Sequence, residues 1–213
     1  MMKSTYSESR FNKMPVVGIL RNVSLDVIAE ILPYYKKAGF TTLEITMNSV
    51  NASHIIKKLS QDHPDMNIGA GTVCNMDDLR LALKAGASCI VTPILDIEVM
   101  KYCTENKIPI FPGAFTPLEI YNASKLGATA VKIFPATQLG AGYIKDVLAP
   151  LNNMKLLPTG GVSADNIEDF FKAGAFGVGM GGSLFDKELI ASKNYEGLFN
   201  HFKAIADKVL NVI

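Results

Sequence analysis

The 213-residue chain, 48% hydrophobic, suffices for one domain with a large buried core. Its 21 lysines and arginines against 20 aspartates and glutamates leave no long-range field for nucleic acid or an anionic membrane, so any recognition of an anion must be local. No run approaches the ~20 apolar residues of a membrane span, and the polar opening MMKSTYSESRFNK has no signal-peptide core.

Short β-branched runs alternate with amphipathic segments. Strands are expected at residues 16–21, 41–47, 67–73, 89–93, 108–114, 130–135, 155–161 and 177–183. The first intervening helix opens at Ser24 and carries Leu25, Ile28, Ile31 and Leu32 at helical spacing; Pro33 should kink it or mark a break. A later helix opens at Asn75, with acids in its first turn and a lysine in its last. Asp165 lies early in the segment that ends at FFKAG. Gly39, Gly86, Gly127 and Gly174 recur just before strands, where a glycine can take the left-handed conformation that ends a helix. Eight strand–helix units predict a (β/α)8 TIM barrel over residues 1–213, with a short N-terminal extension to about residue 14. A doubly wound open sheet is the alternative, weakened because no GxGxxG follows the first strand.

In such a barrel, chemistry sits at C-terminal strand ends and the loops beyond them. In the second strand, Thr42, Glu44 and Thr46 share one face while Leu43, Ile45 and Met47 share the other. The apolar face should meet helices, so the polar face should point inward, where a carboxylate needs partners. In the sixth strand Lys132 shares a face with Ala130 and Phe134. Desolvation there would favour the neutral, nucleophilic amine, and a nearby Glu44 could move protons. An amine and an acid/base on inward faces are the minimum for Schiff-base chemistry. Read singly, a lysine such as Lys132 is more often an edge residue reaching for water, and Glu44 is as readily an ion-pair partner or a solvated carboxylate.

Thr159-Gly160-Gly161 and Gly181-Gly182-Ser183 end the seventh and eighth strands, the usual phosphate-binding positions of β/α barrels, where backbone N–H groups can converge on an anion. Tight turns and close packing would also use such glycines. Arg21, at the end of the first strand, could grip a carboxylate; it could also simply pair on the surface. The small residues Gly69-Ala70-Gly71 leave room for a ligand beside Thr72. His54, His63 and His201 are scattered without metal-binding spacing, so no metal is expected. Cys74, Cys89 and Cys103 read as buried free thiols in a reducing compartment, hence a cytoplasmic protein.

GILR, LEITMNS, GAGTV, IVTP, FPGAFTP, VKIFPA and LPTGGVSADN occur in this order between about residues 15 and 185. In these motifs the chain resembles the 2-keto-3-deoxy-6-phosphogluconate (KDPG) and 4-hydroxy-2-oxoglutarate (KHG) aldolases, including their 6-phosphogalactonate relatives. The resemblance implies a class I aldolase without cofactor, releasing pyruvate and an aldehyde. It implies Lys132 as Schiff-base former and Glu44 as general acid/base. Arg21 and Thr72 would position substrate, Pro93 and Phe134 would wall the pocket, and Thr159 would lie close to the substrate. Gly160, Gly161, Gly181, Gly182 and Ser183 would cradle phosphate. Some relatives carry an arginine after the glutamate, as in LEVTLRT; here Asn48 takes that place, and Arg21 could take over its anionic contact. The resemblance also suggests a homotrimer acting on a small keto acid. Two rival readings are a phosphosugar isomerase, epimerase or synthase on the same barrel, and a non-catalytic sugar-phosphate-binding barrel.

Overall fold

The computed structural model describes residues 5–213; the first four residues of the polar N-terminal stretch lie outside the described residues. The strands are β1 (Val16–Leu20), β2 (Thr42–Thr46), β3 (Asn67–Gly71), β4 (Ile90–Val91), β5 (Ile110–Phe111), β6 (Gly113–Ala114), β7 (Val131–Ile133), β8 (Leu156–Pro158) and β9 (Val178–Met180). The helices are α1 (Glu8–Lys13), α2 (Leu25–Lys37), α3 (Ala52–Asp62), α4 (Met76–Lys84), α5 (Ile97–Glu105), α6 (Pro117–Lys125), α7 (Gly140–Leu148), α8 (Ile167–Lys172), α9 (Lys187–Ala191) and α10 (Tyr195–Leu210). The result is an α/β fold on a curled, wholly parallel sheet. Six strands run in the order β5-β4-β3-β2-β1-β9 and three in the order β6-β7-β8.

The fifth expected strand is two strands. Pro112 divides it because proline has no N–H to give a ladder. β5 pairs with β4, whereas β6 pairs with β7. The Pro112 carbonyl still accepts from the Lys132 amide at 2.8 Å, and the Thr129 amide donates to the Ile110 carbonyl at 2.9 Å, so this run links the two sheets. A parallel bridge between Thr159 and Gly179 links them again on the far side. The seventh and eighth expected strands are therefore β8 and β9.

Strand parity sorts the core into two clusters. Leu43, Ile45, Ile68, Ala70, Ile90, Ile110, Val131, Ile133, Leu156 and Val178 pack with the helices. Val17, Cys89, Val91, Phe111, Ala130 and Leu157 fill the inner face together with Phe11. Phe11 comes from α1, within the stretch that reads as a polar extension. Ser7 caps this short helix by accepting from the Arg10 amide, and its backbone clasps the buried Asn67 side chain at 2.8 and 3.0 Å. The inner face below Glu44 and Lys132 is thus closed with apolar side chains, the condition for desolvating whatever sits above.

Helix ends match their sequence signals. Ser24 and Asn75 cap α2 and α4 by accepting from the Val27 and Asp78 amides. Gly39, Gly86, Gly127 and Gly174 all have φ between 92° and 100°. At Pro33 the expected break does not occur, since α2 runs through it to Lys37. Proline forfeits only the bond to the Ala29 carbonyl, while buried Ile28, Ile31, Leu32 and Tyr35 hold both halves of the helix against the core. No described helix is long and apolar enough to cross a membrane.

Candidate active site

Two short polar interruptions of apolar strands define the site. On β2, Glu44 is only 2% exposed. Glycine at position 71 makes its space, because a Cβ there would overlap the Glu44 carboxyl group. Glu44 Oε2 is a buried acceptor with no hydrogen-bond partner among the described residues. Burial raises the Glu44 pKa; the charges of Lys132 and Arg21 oppose that rise without cancelling it. On β7, Lys132 is only 5% exposed, and its ammonium lies 4.9 Å from the centre of the Phe134 ring. Burial lowers the Lys132 pKa, Glu44 pushes it back up, and Arg21 lowers it further. Both groups are therefore displaced towards their uncharged forms, an amine ready to attack and a carboxylic acid able to give and take a proton.

These residues open onto one cleft of about 920 Å³ at the C-terminal ends of the strands, lined by Arg21, Glu44, Lys132, Phe134, Thr159, Gly160, Gly161, Gly181, Gly182 and Ser183. Arg21, expected as a strand end, stands just beyond β1 in the following loop. Gly160 and Gly161 leave β8 with φ of +90° and +78°, values that suit glycine. The backbone N–H groups of Gly160, Gly161, Gly182 and Ser183 donate to no protein acceptor among the described residues. Thr159 is buried, its hydroxyl bonded to the Leu157 carbonyl at 3.3 Å.

Three residues singled out from sequence do not line this cleft. Thr72 turns the chain after β3 with φ of +55°. Pro93 packs its carbonyl group against Gly113, where no Cβ would fit. Asn48 is exposed in the turn after β2, next to the buried Ser49. Ser49 Oγ accepts from the Asn22 amide at 2.9 Å and contacts Thr46 Oγ1 at 2.8 Å, pinning the loop that carries Arg21.

Sequence reading missed several lining residues, among them Asn22, Ser163 and Lys187. Their only signal was position, since each follows a strand whose end was already suspect. Of the cysteines, Cys89 and Cys103 are buried, while Cys74 is only partly so, near enough to Lys132 for their charges to interact. His54 sits in α3 and His63 at its end. His201, on α10, contacts the Ser183 carbonyl at 3.0 Å and so braces the loop after β9. Among the described residues, no three His, Cys, Asp or Glu side chains group as metal ligands.

A buried amine and a buried carboxyl group facing one cleft on a parallel α/β sheet are the equipment of an imine-forming enzyme. Comparison with known proteins agrees. The family model "KDPG and KHG aldolase" matches residues 7–201. A 2-dehydro-3-deoxy-phosphogluconate aldolase of Haemophilus influenzae is 35% identical over 200 residues, covering 92% of this chain and 94% of the relative. A 2-dehydro-3-deoxy-6-phosphogalactonate aldolase of Escherichia coli is 32% identical over 175 residues, covering 81% and 85%. A solved "Native KDPGal structure" superposes with a TM-score of 0.84 at 30% identity, covering 93% of this chain and 97% of that one. The chain belongs to the KDPG and KHG aldolase family and is an aldolase, a carbon–carbon lyase.

Proposed function

We propose that this aldolase cleaves 2-keto-3-deoxy-6-phosphogluconate or its galactonate epimer to pyruvate and glyceraldehyde 3-phosphate, through an imine on Lys132. The observation that carries the reading is the pairing of buried Lys132 with buried Glu44 in one cleft. The neutral Lys132 amine attacks the C2 ketone. Glu44, carrying the proton that Lys132 gives up on becoming neutral, helps expel the carbinolamine hydroxyl as water and leaves a protonated imine. Now a carboxylate, Glu44 takes the C4 hydroxyl proton, directly or through a water. The C3–C4 electrons move into the C2–C3 bond, the imine nitrogen accepts the displaced pair, and the aldehyde departs. Protonation of the enamine at C3 and hydrolysis of the imine release pyruvate and restore Lys132.

Arg21, a guanidinium in electrostatic reach of both reacting groups, would take the C1 carboxylate. The four free N–H groups of the glycine-rich loops would take phosphate oxygens. The same cleft would also admit 4-hydroxy-2-oxoglutarate, the smaller substrate class of the family. We further read the nine strands as one closed (β/α)8 barrel, the chain as one domain, and the working enzyme as a cytoplasmic homotrimer.

The test is borohydride reduction in the presence of pyruvate, followed by peptide mass spectrometry. Wild type should gain a covalent pyruvyl adduct at Lys132, and Lys132→Arg should gain none, because a guanidinium stays protonated. Label on another lysine would remove Lys132 from the mechanism. A panel of the phosphorylated gluconate and galactonate acids, their unphosphorylated forms and 4-hydroxy-2-oxoglutarate then assigns the substrate.

A further inference from the structure

The proposed substrate carries an anion at each end, a carboxylate beside the ketone and a phosphate on C6. Three side-chain cations line the cleft: Arg21, Lys132 and Lys187. Lys132 is the amine that reacts. Arg21 acts electrostatically on both Lys132 and Glu44, which puts it at the reacting end. Lys187 is the third of these cations. It begins α9, four residues beyond the Gly181-Gly182-Ser183 loop, and its ammonium makes no ion pair or hydrogen bond among the described residues. Its neighbour Asp186 forms no ion pair with it among the described residues; Asp186 Oδ1 accepts from the Glu188 and Leu189 amides at 2.9 Å.

Asn22 stands nearby in the same lining. Its backbone is held in the left-handed region at φ +55° with its amide on Ser49 Oγ, and its carboxamide has no protein partner among the described residues. The glycine-loop N–H groups can orient a phosphate, but they bring no full charge to a dianion in a chain of nearly zero net charge.

We propose that Lys187, assisted by Asn22, is the counter-charge for the terminal phosphate and a determinant of preference for phosphorylated over unphosphorylated keto acids. The proposal rests on the aldolase reading above. Lys187 is a binding residue remote from the reacting carbons, so its effect belongs to KM rather than kcat. A lysine merely solvated at the rim would treat both kinds of substrate alike.

The experiment compares wild type, Lys187→Gln, Lys187→Glu and Lys187→Arg on 2-keto-3-deoxy-6-phosphogluconate and on the same acid without phosphate. Lys187→Gln should raise KM for the phosphorylated acid by about 3- to 10-fold with kcat little changed. Lys187→Glu should raise it further, and Lys187→Arg should restore most of the loss. The salt dependence of kcat/KM for the phosphorylated acid should also flatten in Lys187→Gln. Equal losses on both acids, or none on the phosphorylated one, would overturn the assignment. Calorimetric titration with inorganic phosphate at low salt reads the subsite without turnover: weaker binding by Lys187→Glu supports it, and unchanged binding overturns it. Failure of the aldolase reading shows separately, as absence of a borohydride-trapped pyruvate adduct in wild type.

Discussion

Replacing Gly182 with valine probes the phosphate loop with little confusion from folding. A Cβ built at Gly182 meets nothing within 4 Å, and Gly182 is absent from the positive-φ residues. The protein can therefore accept a side chain there without backbone strain, and the isopropyl group adds bulk at a residue that lines the cleft. Gly161 is the opposite case. It has φ of +78°, and its Cβ would lie 2.6 Å from Thr137 Oγ1 and 2.9 Å from Thr137 Cα, so even alanine would strain the fold. If the valine denies the phosphate one N–H bond, the loss is that of a hydrogen bond to a charged group, about 1.5–3 kcal/mol, or roughly 10- to 150-fold in kcat/KM. The assay is kcat/KM for the phosphorylated and unphosphorylated acids, with thermal unfolding of each variant alongside. Gly182→Val should lose activity on the phosphorylated acid alone and keep the wild-type Tm, whereas Gly161→Ala should lower Tm. Equal losses on both acids, or a fall in Tm for Gly182→Val, would show that the loop is structural and refute its role as a phosphate cradle.

Two further outcomes follow from the buried pair. Glu44→Gln should still form the trapped pyruvate adduct, while turnover falls by about 10²- to 10⁴-fold, the usual weight of general acid–base catalysis; near-normal turnover would exclude Glu44. The same variant should shift the pH profile of adduct formation. Imine formation needs the neutral amine, burial already lowers the Lys132 pKa, and the Glu44 charge opposes that fall. Removing the charge should therefore lower the Lys132 pKa further and move the rising limb of trapping to lower pH. A limb that stays in place or moves upward would mean that Glu44 carries no charge when Lys132 titrates.

Much of the fold was legible because its signals are local. A capping side chain reaches an amide three residues away, so Ser24 and Asn75 mark helix starts in any context. A glycine after a helix marks its end for the same reason, as at Gly39 and Gly174. Strand parity likewise put Glu44 and Lys132 on the faces opposite their apolar neighbours, which foretold their burial once both faces of the sheet were covered.

What the sequence could not determine depends on contacts between distant segments. The division of the fifth strand at Pro112 follows from which neighbour each half meets, β4 or β7. The role of Phe11 as an inner-face plug depends on α1 folding back against Asn67, some sixty positions away. The membership of the cleft is of the same kind. Arg21 and the glycine loops enter it, whereas Asn48, Thr72 and Pro93 do not, and Lys187 joins only because β9 pairs with β1 and brings the start of α9 beside the Arg21 loop. Local sequence sets which residues are polar, glycine or apolar and which way each faces along its own strand. Only the closure of non-local pairings decides which polar residues share a space, because the free energy of those pairings belongs to the assembled sheet rather than to any one segment.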